Sequence, residues 1–385
     1  MTESTNIKAA GIIAEYNPFH SGHAYQIAKT REAGYTHIVV VMSANVVQRG
    51  DIAILDAHTR ARAAIAGGAN LVIELPAPWS CSSAPDFARA GVSILKRLGV
   101  VSAISFGSEC GDLQKLKACA DAVENIDYSM LRRLMASGMT YPQAIERLTD
   151  NKLLSGANDT LAVEYIRAAK GSGLSAIAIK RTVRHDSPIS EGCEHISASA
   201  LRELMRGGNE GARLGYGFDA GEVASIENAA GEILFKLAGM SEQELMRAPY
   251  MSDGVAQRIC RAAGRAASLT ELYDEVKTRH ITHARVRRAV LLAALGVTSD
   301  EMAAAPPYAR ILAADAKGAQ LLAACKDGAG IPFSSSLAKL AIASPQAKRT
   351  AFLCEYSSWL RDSASKKGLA GRVPQASRKF ELTKI

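Results

Sequence analysis

Lys8-Ala9-Ala10-Gly11-Ile12-Ile13-Ala14-Glu15-Tyr16-Asn17-Pro18-Phe19-His20-Ser21-Gly22-His23 is the stretch from which the first half of the chain is read. Lys8 to Glu15 is short and almost continuously apolar, so it reads as a strand buried on both faces. Pro18 stiffens the turn that follows, and Ser21 can cap a helix beginning there. Gly22 lets backbone approach a ligand closely. His20 and His23 are three apart and can project to one side of the first helical turn. Helix N-termini favour anions, so two imidazoles placed there can donate to a triphosphate and stabilise charge as pyrophosphate leaves. The same spacing also fits a plain strand–turn–helix junction with incidental histidines. The H-x-x-H spacing alone does not make a zinc site, because no cysteine or third ligand stands nearby. Metal ligands are unassigned.

The pattern repeats outward from this stretch. His37 to Ser43, Asn70 to Pro76 and Val101 to Gly107 are further strands, each followed by helical spacing, and Ala176 to Lys180 is a fifth. Continuous apolar strands alternating with helices predict an α/β fold with a parallel sheet, whose ligands bind beyond the carboxyl ends of the strands. Gly207, Gly208, Gly211, Gly215, Gly217 and Gly221 then break the pattern. Beyond them Glu222 to Ala238, Val255 to Ala266, Ser268 to Lys277 and Thr282 to Leu295 have helical spacing. The expected organisation is an α/β domain over 1–207, a glycine-rich linker over 208–221, a mainly α-helical domain over 222–360 and a loosely ordered basic tail over 361–385.

Of 385 residues, 48% are hydrophobic and 22% charged, the balance of a folded globular protein long enough for two domains. The polar start, Met1 to Lys8, and the interruption at Glu15 predict no secretory signal. The longest apolar runs are far short of a membrane span. Seven cysteines, an odd number with no C-x-x-C pair, predict a reduced cytoplasmic protein with no disulfide-linked partner. The net charge of +8 is compatible with a nucleic-acid partner without requiring one.

Asn17-Pro18-Phe19-His20-Ser21-Gly22-His23 is similar to the H-x-G-H signature of the nucleotidyltransferase superfamily. More narrowly the chain resembles the bacterial tRNA(Met) cytidine acetate ligase family. The likeness continues through Val41 to Asp51, Leu71-Val72-Ile73-Glu74-Leu75-Pro76, Ser105-Phe106-Gly107-Ser108-Glu109, Asn158 to Tyr165, Ile179-Lys180-Arg181 and Ser197 to Arg202. In the helical half it includes Ser252-Asp253-Gly254 and Leu269 to Arg288. The resemblance implies a Rossmann-like nucleotidyltransferase domain that uses ATP, with Mg2+ bridging phosphates, to activate acetate as acetyl-adenylate. The acetyl group would pass to N4 of the wobble cytidine of elongator tRNA(Met). It implies ATP binding by Ile13, Ala14, Glu15, Asn17, Pro18, Phe19, His20, Gly22, His23, Gly107, Asn158 and Arg181, with His20 and His23 catalytic. Three departures stand out: Ala44 and Val46 replace a glycine and an aromatic, Ser21 replaces asparagine, and Thr278-Arg279-His280-Ile281-Thr282 lacks the aromatic of the family's Thr-Lys-Arg-Tyr-Thr strip.

The remaining blocks carry their own chemistry. Arg49 can bind a phosphate or carboxylate in bidentate fashion, or pair with Asp51. Ser199 and Arg202, with Ser197, look like a capped helix start facing phosphates. Asn158 reads equally as a helix cap. Lys180, Arg181, His185 and Asp186 follow the fifth strand. Lys277, Arg279, Arg285, Arg287 and Arg288 are either tRNA-binding or a solvated charged face. A nucleotidyltransferase acting on a small molecule without RNA, and a non-catalytic nucleotide- or RNA-binding module, are the competing readings.

Overall fold

The structure, a computed structural model, describes residues 7–137, 139, 141–149, 154, 156–181, 197–208, 220–279, 281–325, 328–378, 380 and 382–383. His185 and Asp186, most of the glycine-rich stretch, and His280 lie outside the described residues. Nine strands are formed among them: β1 (Ala9–Ala14), β2 (His37–Ser43), β3 (Val46–Val47), β4 (Asp51–Ile52), β5 (Leu71–Leu75), β6 (Val101–Ser108), β7 (Ser175–Lys180), β8 (Ala309–Ala314) and β9 (Phe333–Ser334). The helices of the first half are α1 (Ser21–Glu32), α2 (Ala57–Ala66), α3 (Ala84–Arg97), α4 (Leu113–Glu124), α5 (Tyr128–Ala136), α6 (Tyr141–Thr149), α7 (Ala157–Ala169) and α8 (Ala198–Arg206).

Seven strands form one sheet in the order β7-β6-β1-β2-β5-β8-β9. β1 pairs in parallel with β2 on one side and β6 on the other, β2 with β5, and β6 with β7. The chain therefore winds outward from β1 through β2 and β5, then returns to place β6 on β1's other side. That reversal makes a switch point at the carboxyl ends of β1 and β6, where an open sheet presents a crevice.

Alternation along the strands feeds two cores. Ile13, Val39 and Val41 join the layer under α3, while Ile12, Val40 and Met42 join the layer with Ala61, Ala64 and Ile65 of α2. All seven residues of β2 are buried, which explains its unbroken apolar run.

The parallel sheet and the helical C-terminal part were legible in the sequence; the division between them was not. The segment expected to be a separate helical unit over 222–360 contains β8, which pairs antiparallel with β5 and so belongs to the sheet. β9 adds to it in parallel. The layer under α3 is continuous with Ile259, Leu272, Val290 and Leu291 of the later helices. Polar contacts cross the same boundary. Trp79 Nε1 donates to Ala304 O at 2.9 Å, and Tyr250 Oη donates to Asp86 at 2.8 Å.

The expected loose tail is also corrected where it is described. Arg361 is buried, donating to Ile54 O and Glu222 O, and pairs with Asp362 at 3.0 Å. Arg372 pairs with Glu355 and Asp362, and Arg378 with Asp56. The segment looked like a loose tail because the partners that tie it to the rest of the chain, Asp56, Ile54 O and Glu222 O, are remote in sequence.

Candidate active site

The switch point opens into a cleft of about 340 Å3. Ile13, Ala14, Glu15, Asn17, His20, Gly22 and His23 line it from the β1–α1 junction. Gly107 enters from β6, Asn158 from α7 and Arg181 from the end of β7. The N-terminal turns of α1, α7 and α8 all border the space, so the positive ends of three helix dipoles lie at it.

His20, not the expected Ser21, is the N-cap of α1. Its extended backbone lets Nδ1 accept from Gly22 N at 3.1 Å, while His23 Nδ1 accepts from His20 N at 3.2 Å. The two histidines thus form a reciprocal capping pair, a role usually filled by Ser or Thr with Glu. An imidazole whose Nδ1 accepts carries its proton on Nε2, so each neutral ring keeps an Nε2–H donor. The rings stack with centroids 3.7 Å apart. His23 also packs on Tyr16 and Phe19, at 4.5 and 5.6 Å. That desolvation, reinforced by His20 and Arg181, holds its pKa well below the usual histidine range. His23 is therefore a neutral donor at neutral pH. Tyr16 supports the turn with a left-handed φ of +44°, a strained conformation for a non-glycine residue.

The β6–α7 side is organised by a pair of carboxylates. Glu109 accepts from Asn158 N and Nδ2 and from Asp159 N, at 3.1, 2.6 and 2.7 Å. Asp159 in return accepts from Ser108 Oγ and Glu109 N. Asn158 is consequently not the cap of α7; Gly156 holds that position, and the Glu109 carboxylate supplies the acceptor. This leaves the Asn158 side-chain oxygen, Oδ1, to accept from Arg181 Nη1 at 3.5 Å. A Cβ on Gly107 would lie 3.4 Å from Arg181 Cγ, so the guanidinium stem crosses directly over that backbone. Burial lowers the Arg181 pKa, with Glu109 opposing.

Across the cleft, Arg202 donates to Asn17 O at 2.8 Å and to Ser199 Oγ at 3.0 Å. Ser199 thus acts behind Arg202 rather than on the cleft wall. Arg49 lines the cleft and is close enough to Arg202 to help lower its pKa, after burial. Asp51, the alternative partner for Arg49, stands 3.7 Å from Arg206. The cleft-lining cations and imidazoles are His20, His23, Arg49, Lys180, Arg181, Arg202 and Arg288; the carboxylate among the lining residues is Glu15. The arrangement is built to receive a polyanion.

Besides Ser199, two residues expected to bind ATP are not brought to this wall. Phe19 is buried in the core behind α1, touching the Cβ position of Gly67, and Pro18 does not line the cleft. Arg288 moves the other way. Read with the RNA-facing group, it lines the cleft beside Gln48. Arg285 turns inward to Tyr250 O at 3.1 Å. Lys277, Arg279 and Arg287 are exposed and away from the cleft. Sequence reading missed Arg60, fully buried and donating to the carbonyls of Leu55, Glu15, Ser43 and Ala44. It ties the ends of β1 and β2 together. Its signal was faint, one arginine in an alanine-rich helix. Phe106, Leu161 and Tyr165 supply an apolar wall, with Tyr165 Oη donating to Ile13 O.

No helix among the described residues is long and apolar enough to cross a membrane, and none of them gathers three or more His, Cys, Asp or Glu as a metal cage. Residues 7–357 match the HIGH Nucleotidyl Transferase family. The tRNA(Met) cytidine acetate ligase of Acetivibrio thermocellus is 32% identical over 368 residues, covering 85% of this chain and 87% of that protein. That of Syntrophotalea carbinolica is 32% identical over 367 residues, covering 87% and 86%. A crystal structure of Thermotoga maritima TmcAL bound with alpha-thio ATP superposes with a TM-score of 0.86 at 25% identity, covering 98% of this chain and all of that one. Sequence, topology and the two-histidine cleft agree: the chain belongs to the HIGH nucleotidyl transferases, in the family of the tRNA(Met) cytidine acetate ligases.

Proposed function

We propose that the protein joins acetate to AMP at the expense of ATP and transfers the acetyl group to N4 of the wobble cytidine of elongator tRNA(Met). The observation that carries this reading is the cleft at the β1–β6 switch point, where His20 and His23 face Asn158 and Arg181 across a space ringed by cations. The relatives' names supply the substrates.

Each group has a task in this reading. The adenosine end lies against Gly107, Asn158 and the apolar wall of Phe106 and Leu161. Arg181 and the α1 N-terminus hold phosphates. A carboxylate oxygen of acetate attacks the α-phosphorus; the bond to the bridging oxygen breaks and pyrophosphate departs with the electron pair. The Nε2–H groups of His20 and His23 donate to the oxygens on which charge builds, so the stabilisation is electrostatic and preorganised. In the second step the cytidine N4 attacks the acetyl carbon, AMP leaves with its oxygen, and the amine loses a proton. Mg2+ bound with the triphosphate would offset phosphate charge, and such an ion needs few protein ligands. Residues 1–207 supply most of the adenylation cleft, with Ala284 and Arg288 completing its wall, and Lys277, Arg279 and Arg287 contact tRNA phosphates.

Nucleoside mass spectrometry of tRNA(Met) incubated with ATP and labelled acetate tests the proposal. Labelled N4-acetylcytidine is expected. Acetate-dependent ATP–pyrophosphate exchange with an unmodified tRNA would instead favour adenylation of a small molecule.

A further inference from the structure

Arg288 lies on the helix His283–Ala294, some 270 residues after the motif that shapes the cleft, yet its side chain lines that cleft. Its neighbour Arg287 is exposed, with its guanidinium 5.6 Å from the Tyr273 ring. Successive helical residues point about 100° apart, so adjacent arginines serve two different surfaces. The inward one is firmly held. Arg288 Nη1 donates to Gln48 O at 3.1 Å, and its guanidinium lies 5.5 Å from the Tyr250 ring. Gln48 N in turn donates to Glu15 Oε1 at 2.7 Å. The Gln48 residue is thereby clasped from both sides. Gly50, at φ +73°, lets its backbone close onto Arg288, whose nitrogen would be 2.5 Å from a Cβ there. Arg288 Nε is buried and has no protein partner among the described residues. Several other arginines share that feature; what sets Arg288 apart is its place on the cleft wall, where a fixed guanidinium presents a preorganised charge to an anion entering the cleft.

Position identifies which anion. Gly107, Asn158 and Arg181 stand at the ends of β6, α7 and β7, on the nucleotide side of the switch point. Arg288 and Gln48 stand beyond β2, on the opposite side. Arg202, which shares that side, already uses both terminal nitrogens on Asn17 O and Ser199 Oγ. We infer that Arg288 binds the carboxylate of the acid substrate and sets it for attack on the α-phosphorus. This rests on the adenylation reading above. The planar fork of arginine matches a carboxylate, and no proton moves in the step it assists. The helix that presents Arg287 outward thus also carries the residue that places the second reactant.

The test is acetate-dependent ATP–pyrophosphate exchange by R288Q and R288K, with ATP affinity by calorimetry and tRNA affinity by filter binding on the same preparations. R288Q should raise the KM for acetate roughly 10- to 100-fold, as loss of a charge-assisted hydrogen bond does. R288K, which keeps the charge without the fork, should fall between. ATP and tRNA affinities should match the parent protein, which also shows that the variants fold. An unchanged acetate KM overturns the assignment. So does a loss of tRNA affinity at constant acetate KM, which makes Arg288 an RNA contact, or a loss of ATP affinity alone, which makes it a phosphate contact. Exchange by the parent protein that ignores acetate would fail the functional reading itself, a result distinct from failure of Arg288 alone.

Discussion

Replacing His20 with asparagine separates the two tasks its ring performs. Nδ1 caps α1 by accepting from Gly22 N at 3.1 Å, and the ring stacks on His23 at the cleft wall with Nε2–H as its donor. Asparagine is a good N-cap, so H20N keeps an acceptor for the helix and removes the imidazole donor. Alanine removes both. The cap contributes about 1 kcal/mol, so H20A should melt lower than the parent protein while H20N stays near it. Loss of one preorganised donor to developing charge costs about 3 kcal/mol in the transition state, roughly a 100-fold slower step. Both variants should therefore show pyrophosphate exchange reduced by about that factor, with the melting difference confined to H20A. Exchange at the parental rate in H20N would refute the donor role and leave His20 a helix cap.

The other predictions address the supports of the site. Burial, with Arg310 and Arg378, lowers the His58 pKa to about 4. A folded-state value below the unfolded 6.5 means that the unfolded chain binds more protons, so stability is complete above pH 6.5 and falls as the pH drops towards 4. Between pH 7 and 5 the loss is about 2 kcal/mol, and H58F should flatten that part of the denaturation profile. Gly50→Ala imposes a positive φ on alanine and a clash with Arg288 backbone, so it should destabilise by about 2 kcal/mol or more in a urea titration. Arg181→Ala should weaken ATP binding by calorimetry without tRNA present, by about 10-fold; unchanged affinity would make it structural. The double variant R279A/R287A should weaken tRNA binding and flatten its salt slope by up to two phosphate contacts, leaving exchange intact.

The strands that were legible are those where physics leaves one reading. β1, β2 and β5 are short, mostly apolar and rich in β-branched residues because both faces are covered, and runs of five to seven residues are too short for helices. β8 escaped notice because Ala309-Arg310-Ile311-Leu312-Ala313-Ala314 is alanine-rich and interrupted by a charge. Arg310 is nonetheless 1% exposed, paired with equally buried Glu74 of β5 and donating to Gln375 O. A charge reads as surface until its partner is known, and the partner is more than 200 residues away. The same blindness made Arg361 and Arg378, held by Ile54 O, Glu222 O and Asp56, look like a loose tail, and gave no sign that Arg288 lines the cleft. Residues at the β1–α1 turn were legible because their neighbours in sequence are their neighbours in space. Asn158, expected from the resemblance to bind ATP, lines the cleft, and the capping role it could also have had falls to Glu109, just beyond β6.

The antiparallel return of β8 onto β5 has a consequence for how the chain is made. About 230 residues separate the two strands, so at ~5–20 residues per second the ribosome needs roughly 10 to 50 s to deliver β8 after β5 has emerged. During that interval β5, apolar except for Glu74, is an edge with its hydrogen-bonding row open, the kind of edge that invites pairing with another chain. A nascent protein of this topology therefore depends on its last third to close the sheet. Its early part has every strand needed to build the nucleotide cleft and none that can shield the open side.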